Sequence, residues 1–223
     1  MKAIAISKQG SRSEANEDAC LVLAAKGVFV VADGVGGGPA GEIASRCVVD
    51  SLSELLRQTD AVSDQSIELA LQAANQRIVE RANSPDFRGM ASTVALAWVN
   101  EDSVRCYHVG DSRIYRMRDN NIEQLTRDHT KVVKRANGSE KVVVTQAMGA
   151  RTAIIPDVTV HNWLAQDVLL LMSDGISDLL SDREIMQLMS KNGTTMADRA
   201  HYLINQSEEL GGTDDKTIVI VFN

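Results

Sequence analysis

Short runs rich in valine and isoleucine occur in groups along this chain of 223 residues and do not alternate one by one with helical segments. The runs cover residues 3–7, 28–32, 93–98, 104–109, 114–117, 158–163, 168–172 and 218–222. Branched and aromatic side chains favour strands because they pack well on a pleated surface. Apolar side chains at helical spacing predict one helix pair after the second run and another before the last.

The order of these elements indicates the α+β class. Grouped strands and helices are typical of mostly antiparallel sheets that are covered by helices. We expect a four-layer α-β-β-α sandwich, in which two mostly antiparallel sheets are flanked by helix pairs. Ser181 and Glu184 have the spacing of a capping box, so the third helix should begin there, with a fourth at about residues 196–209. No repeat or long linker interrupts residues 1–223, which are predicted to form a single domain.

The composition excludes several classes of partner. A formal net charge of -7 argues against binding to nucleic acid or to anionic lipid, which needs a basic surface. The apolar runs are strand-sized, so none is expected to span a membrane, and the first residues do not resemble a signal peptide. Cys20, Cys47 and Cys106 show no metal-binding spacing, which indicates reduced thiols and a cytoplasmic location.

Acidic residues recur where predicted strands begin or end, often beside glycine. They are Glu17 and Asp18 after the first strand, Asp33, Asp111 and Asp174 at strand ends, and Asp214 and Asp215 before the last strand. Carboxylates that converge repel one another, and Mg²⁺ or Mn²⁺ relieves this repulsion by taking oxygen ligands. The glycine after an aspartate allows the backbone to approach closely, so that a carbonyl can also be a ligand. A single Asp-Gly pair is otherwise a turn signal.

Arg12 is a candidate phosphate ligand, since it lies six residues before Asp18. The planar guanidinium can grip phosphoryl oxygens with two hydrogen bonds. The alternative is a solvated surface charge.

Together these segments resemble the type 2C metal-dependent protein phosphatase family in its compact bacterial form. The matching segments are Arg12 with residues 16–18, then residues 32–37, 40–45, 89–93, 109–113, 125–129, 173–176 and 212–217. They follow the order of the family and span nearly the whole chain. The resemblance implies an α-β-β-α sandwich with a two-metal site in the cleft between the sheets.

The resemblance also implies a role for each matched residue. Asp33 would bridge both metals and the Gly34 carbonyl would bind one of them. Asp174 and Asp214 would complete the other metal, and Glu17 would act through a coordinated water.

Four further residues receive roles in the same way. Asp18 would belong to the acidic cluster, and Arg12 would hold the substrate phosphate. Asp111 and Asp178 match positions that bind a third, weaker metal in relatives.

The activity implied is that of a serine/threonine phosphoprotein phosphatase. Two divalent cations, Mn²⁺ or Mg²⁺, would activate a water or hydroxide that hydrolyses a phosphomonoester without a phosphoenzyme intermediate. The substrates would be phosphoserine and phosphothreonine proteins, and a separate serine/threonine kinase would oppose the enzyme. We expect a monomer without nucleic-acid or membrane partners.

The chain departs from the family pattern at several positions. Val35 replaces a histidine thought to protonate the leaving group in many eukaryotic relatives, and residues 38–39 replace a more polar stretch. Asp215 replaces an asparagine and adds a charge that could tighten metal binding or raise a neighbour's pKa. His129, the nearest histidine in a matched motif, is interpreted as a structural hydrogen bonder. Residues 131–141 are basic, and we hypothesise that they attract acidic phosphorylated segments.

Three alternatives stay open at this stage. A thiol phosphatase would need a reactive cysteine followed by an arginine at a fixed spacing, which Cys106 and Arg113 do not have. A pseudophosphatase would be favoured by the loss of a metal ligand, but Asp33, Asp174 and Asp214 are all present. An enzyme acting on small phosphate esters would carry the same site.

Overall fold

A computed structural model describes residues 1–35, 39–135 and 138–223. In these ranges the strands are β1 (Lys2–Lys8), β2 (Asp18–Leu23), β3 (Val28–Val35), β4 (Ala91–Ser92), β5 (Val94–Val99), β6 (Ser103–Val109), β7 (Arg113–Arg118), β8 (Asn121–Gln124), β9 (Thr130–Lys134), β10 (Glu140–Val144), β11 (Asp157–Asn162), β12 (Val168–Met172) and β13 (Lys216–Phe222). The helices are α1 (Pro39–Gln58), α2 (Asp64–Arg81), α3 (Asp174–Ser177), α4 (Asp182–Met189) and α5 (Met196–Glu209).

The strands form two large antiparallel sheets and one separate hairpin. The first sheet has the order β1-β13-β12-β7-β8, and Lys2 lies opposite Phe222 at its edge. The second has the order β11-β6-β5-β3-β2, with β4 paired to the end of β3. β9 and β10 pair only with each other, so that Lys134 lies opposite Glu140.

Three apolar layers hold the sheets and helices together. Val28 and Val30 of β3 pack towards α1 and α2, whereas Phe29 and Val31 point between the two sheets. The alternation follows from the two-residue period of a strand. The first sheet shows the same alternation, because one face of β13 packs between the sheets and the other packs against α3, α4 and α5. Each fully buried side chain of this size contributes about 1.5–3 kcal/mol. The predicted α-β-β-α sandwich is confirmed.

The start of α4 confirms the predicted capping box. The N–H of Glu184 donates to Ser181 Oγ, and the N–H of Ser181 donates to Glu184 Oε2 at 2.8 Å. Reciprocal bonds of this kind satisfy two backbone donors that a helix start leaves unpaired.

Several strands lie outside the predicted runs, and the most informative are β2 and the β9–β10 hairpin. β2 contains Asp18, so this carboxylate lies on a strand and not in a connecting loop. Of the basic segment at residues 131–141, residues 131–134 and 140–141 lie on the two strands of the hairpin. None of the helices found in the described ranges has the length and hydropathy needed to cross a bilayer.

Candidate metal centre

Asp18 and Asp33 lie opposite each other on adjacent strands. The Cα atoms of the two residues are in register in the β2–β3 pair. Asp33 lies on the same face of β3 as Phe29 and Val31, which pack between the sheets, so its side chain enters the cleft. Thr93 fixes the Asp33 backbone: Asp33 N donates to Thr93 Oγ1 at 2.9 Å, and Thr93 N donates to Asp33 O at 2.8 Å.

The first sheet contributes a second pair of groups to the same cleft. Ser173 Oγ donates to Asp18 Oδ2 at 2.7 Å and accepts from Thr217 N at 2.9 Å. Asp174 is the first residue of α3, two residues after the end of β12, and shares a hydrogen bond with the Asp33 carboxyl. Carboxylates from both sheets therefore converge in the cleft.

Two glycines allow Glu17 to enter this cluster. A Cβ on Gly34 would lie 2.0 Å from Gly41 O and 2.7 Å from Glu17 O, and a Cβ on Gly41 would lie 2.3 Å from Glu17 Oε1. Gly34 N donates to Glu17 O at 3.0 Å. Any side chain at either position would push the backbone segments apart.

Two oxygens of the cluster are buried without a hydrogen-bond partner among the described residues. They are Glu17 Oε1 and Asp174 Oδ1, whereas Glu17 Oε2 accepts from Ser13 Oγ at 3.0 Å. Burying such an oxygen unpaired is unfavourable, and a hard divalent cation is the ligand that several carboxylate oxygens fit. The donor set therefore suits Mg²⁺ or Mn²⁺.

Asp215 joins the two loops that border the cluster. It is buried, and its Oδ1 accepts from Gly10 N at 2.7 Å while its Oδ2 accepts from Glu17 N at 2.6 Å. Burial raises the pKa of Glu17, and the charges of Asp215 and Asp214 raise it further. Asp215 thus positions Glu17 and also adds the negative charge that the sequence predicted.

Arg12 lies at the rim and contacts Asp214. Its Nη1 donates to Asp214 Oδ2, while the N–H groups of Ser11 and Arg12 both donate to Thr213 O, at 2.9 and 3.0 Å. The Arg12 side chain is exposed, so one edge of the guanidinium faces solvent beside the acidic cluster. This placement suits a group that meets a phosphate entering from solvent.

Asp111 and Asp178 lie beside Asp174. Burial raises the pKa of Asp111 to about 7, and the nearby charges of Asp174 and Asp178 add to this rise. Arg113 donates to Asp178 Oδ1 at 2.9 Å and holds Asp128 through two nitrogens, at 2.9 and 2.7 Å. The Arg113–Asp128 pair was not predicted from the sequence, although both residues lie in motifs that match the family.

The central carboxyls have raised pKa values because they are buried together. Burial, with the charges of Asp174 and Asp215, raises the pKa of Asp18 to about 7, although Ser173 donates a hydrogen bond to it. Burial also raises the pKa of Asp174 to about 6 and that of Asp33 well above its ordinary value. Repulsion of this kind favours protons or cations in the cluster.

No group of three or more His, Cys, Asp or Glu side chains in the part of the chain that the structure describes is spaced to enclose an ion as it stands. Arg12 occupies an oxygen of Asp214, and Asp33 bonds to Asp174. Cation binding would therefore replace these two contacts.

The structure brings together the predicted site residues: Glu17, Asp18, Asp33, Gly34, Asp174 and Asp214 line the cleft, with Arg12, Asp111 and Asp178 around it. Ser173 and Thr217 were missed, because their role depends on contacts between strands that are distant in sequence. Residues 36–38, which complete the glycine-rich motif after Val35, lie outside the described ranges. Cys106 is buried on β6, and burial raises its pKa to about 12, which does not suit a nucleophilic thiolate.

Comparisons with known proteins agree with this geometry. A family model described as protein phosphatase 2C matches residues 8–210. The serine/threonine phosphatase stp of Listeria welshimeri is 31% identical over 211 residues, which cover 87% of this chain and 83% of that protein.

Two solved structures match over almost the full chain. The serine/threonine phosphatase of S. agalactiae superposes with a TM-score of 0.89 at 28% identity, covering 99% of this chain and 98% of that one. The catalytic domain of the phosphatase PstP in complex with 2 manganese ions gives a TM-score of 0.85 at 29% identity, covering 98% and 96%.

Proposed function

The chain belongs to the protein phosphatase 2C family and is a metal-dependent serine/threonine phosphatase, and we propose that its cleft holds two divalent cations between the sheets. Asp33 would contact both cations, with the Gly34 carbonyl on one of them. Asp174 and Asp214 would hold the other, and Glu17 would act through a water. The observation that carries this assignment is the pair of buried, unpartnered oxygens on Glu17 and Asp174.

The cations, Mn²⁺ or Mg²⁺, would supply an activated water and offset the charge of the transferring phosphoryl group. Asp33 and Asp174 must then lose the proton that they share, which the nearby positive charge favours. Asp18 would belong to the acidic cluster beside the cations, held in place by hydrogen bonds from Ser173 and Thr217. No side chain is required as a nucleophile, so we expect no phosphoenzyme.

Arg12 would bind the substrate. With Asp214 holding a cation, the guanidinium would be free to donate to two phosphoryl oxygens. Its exposure at the rim supports this role. Val35 has no titratable group, so this position cannot supply the general acid that a histidine would supply.

The substrates would be phosphoserine and phosphothreonine proteins, and a separate serine/threonine kinase would oppose the enzyme. A cytoplasmic location agrees with the free thiols of Cys20, Cys47 and Cys106. We also propose that the chain acts as a monomer. Asp111 and Asp178 would hold a third, weaker cation.

The decisive experiment compares the wild-type chain with Asp33→Asn. Turnover of para-nitrophenyl phosphate and of a phosphothreonine peptide would be measured with Mn²⁺, with Mg²⁺ and with chelator. We expect turnover that requires metal and falls at least about 100-fold in the variant, because an aspartate that contacts both cations is lost.

Three other outcomes have distinct meanings. Metal binding without turnover on either substrate would indicate a pseudophosphatase. Turnover that persists in chelator and in Asp33→Asn would reject the two-metal mechanism. Turnover of para-nitrophenyl phosphate alone would favour small phosphate esters as substrates.

A further inference from the structure

The loop that carries Asp111 is held on both sides by buried imidazoles. His108 lies at the end of β6 and is 2% exposed, and His129 precedes β9 and is 8% exposed. Their ring centroids are 4.9 Å apart. His108 Nε2 lies 2.9 Å from Ser112 O, and Gly110 N donates to His129 Nδ1 at 3.2 Å.

These contacts assign the proton on each ring. Ser112 O is a carbonyl and can only accept, so Nε2 of His108 carries a proton and donates it. Nδ1 of His129 accepts from Gly110 N, so its proton is on Nε2, which faces Asp157 Oδ2 at 3.1 Å. The backbone N–H of His129 also donates to Gly110 O at 2.8 Å.

The residues on both sides of Asp111 are therefore held by histidines. Gly110 is held through its N–H by the His129 ring and through its carbonyl by the His129 backbone, and Ser112 is held through its carbonyl by the His108 ring. Gly110 has a φ of +106°, and a Cβ there would lie 2.6 Å from a methyl group of Thr93, so the loop has little freedom.

The same loop is linked to the centre of the cleft. Ser112 Oγ and Thr93 Oγ1 are 2.7 Å apart, and Thr93 Oγ1 accepts from Asp33 N at 2.9 Å. The histidine pair thus connects through two hydroxyls to the backbone of the central aspartate.

We propose that His108 and His129 are positioning residues that hold the Asp111 loop so that its carboxylate can bind the third, weaker cation. The proposal rests on the proposed function, because it concerns a cation site of that same centre. Substitution of a residue that orients a metal ligand without touching the metal commonly lowers metal affinity by about 10–100-fold. Neither histidine contacts substrate or a cation in this arrangement.

The test compares two variants of His129 that are matched in polarity. In His129→Asn, the amide oxygen can take the place of Nδ1 and accept from Gly110 N. In His129→Gln, the amide reaches the place of Nε2 and keeps a polar group towards Asp157 but leaves Gly110 N unpaired. Mn²⁺ binding would be measured by titration calorimetry, with thermal unfolding of each variant and with Asp111→Asn as the reference that lacks the weak class of sites.

We expect wild type and His129→Asn to show a weak class of Mn²⁺ sites, and His129→Gln to weaken that class about 10-fold while it retains the tight class. Faster exchange of the Gly110 amide proton with solvent deuterium should accompany the loss only in His129→Gln. His108→Gln, which can keep the donor to Ser112 O, should behave as wild type, whereas His108→Leu should weaken the weak class of sites about 10-fold without faster exchange at Gly110.

Equal weak-site affinities in His129→Asn and His129→Gln would overturn the proposal, and so would the absence of a weak class in wild type. A difference in melting temperature without a difference in weak-site affinity would also overturn it, since the histidine would then only stabilise the fold. Failure of the proposed function has another signature, because the tight class would itself be missing or would persist in Asp33→Asn.

Discussion

Arg12 donates a hydrogen bond to Asp214 across a sequence separation of 202 residues. The contact joins the residue proposed to hold the substrate phosphate to a residue proposed to hold a cation. A cation at Asp214 and the guanidinium of Arg12 compete for the same oxygens. Metal binding should therefore release Arg12 at the rim, where phosphate binding requires it.

Replacing Arg12 should separate metal binding from substrate binding. In Arg12→Ala we expect Mn²⁺ to bind at least as tightly as in wild type, because the competing cation is gone. The kcat/KM for a phosphothreonine peptide should fall about 10–100-fold, as expected when charge-assisted hydrogen bonds are lost. Calorimetry and steady-state kinetics measure the two effects.

Arg12→Lys is the matched variant for this prediction. It keeps the charge but lacks the planar pair of donors, so it should recover only part of the activity. Weaker Mn²⁺ binding in Arg12→Ala, or full activity in either variant, would contradict the role assigned to the guanidinium.

The metal-free protein should lose stability as the pH rises from about 4 to 7. Asp18 and Asp111 have pKa values of about 7 in the folded chain, and Asp174 one of about 6. An unfolded aspartate titrates near pH 3.9, so the folded state binds more protons over this range and stability falls with pH. In chelator, the melting temperature should be about 5 °C lower at pH 7.5 than at pH 5.

Burial lowers the pKa of His108 to about 4, so between about pH 4 and 6.5 the unfolded state binds more protons at this residue than the folded state does. His108 therefore makes stability rise with pH in that range. Asp18→Asn isolates the carboxylate contribution, and its melting temperature should depend less on pH. Mn²⁺ should remove the loss at pH 7.5. A metal-free wild type that melts at the same or a higher temperature at pH 7.5 would refute the prediction.

Gly34→Ala should abolish turnover. Its Cβ would lie 2.0 Å from Gly41 O, so the segments that carry Asp33 and Glu17 must move apart. We expect kcat/KM to fall at least about 100-fold, because small displacements of aligned groups are costly in catalysis. Kinetics at saturating Mn²⁺ and a Mn²⁺ titration would measure the effect.

Gly193→Ala is the control for this substitution. Gly193 has a φ of +73° and no atom within 4 Å of an added Cβ, so the change adds backbone strain without a collision. It should cost about 1 kcal/mol of stability and leave kcat/KM unchanged. Similar activities in Gly34→Ala and Gly193→Ala would argue against close packing at the cleft.

The β9–β10 hairpin is suited to recruit acidic phosphoprotein segments. Its basic side chains are exposed. His129, just before β9, is bonded to Gly110, and Met148, four residues after β10, pairs with Ser92. The hydroxyl of Ser92 donates to Asp33 O, so both flanks of the hairpin lie near the site. Charge reversal of Lys131, Lys134, Arg135 and Lys141 should lower kcat/KM for an acidic phosphopeptide about 10-fold at low salt.

Two controls distinguish recruitment from damage to the site. Turnover of para-nitrophenyl phosphate should stay at the wild-type level. Reversal of Lys2 and Arg57, which lie at the ends of β1 and α1 away from the cleft, should not affect the phosphopeptide. Unchanged kcat/KM on the phosphopeptide after reversal in the hairpin would reject the hypothesis. High salt should reduce the difference between variant and wild type.

The sequence predicted what depends on local pattern. The alternation of Val28–Val35 and Lys216–Phe222 between two apolar layers follows from strand period, and the Ser181 capping box follows from helix-end chemistry. The β9–β10 hairpin was missed because Val132, Val133 and Val142 are exposed beside lysines, so the sequence shows no alternation of apolar and polar residues there.

Contacts between distant loops could not be predicted either. The Arg12–Asp214 hydrogen bond and the two hydrogen bonds that Asp215 accepts each join loops that are distant in sequence. No local sequence pattern predicts which loops come into contact. The family resemblance placed Asp111 near the site, but the two imidazoles that hold its loop became visible only in three dimensions.

The pairing of β1 with β13 also has a consequence for synthesis of the protein. β1 is synthesised before β13 but can enter the sheet only after β13 has emerged, since β13 separates it from β12. Asp214, which immediately precedes the Asp215–Lys216 link into β13, is also made late. A nascent chain that lacks β13 therefore carries Arg12, Glu17 and Asp33 without Asp214, and we expect it to have no phosphatase activity.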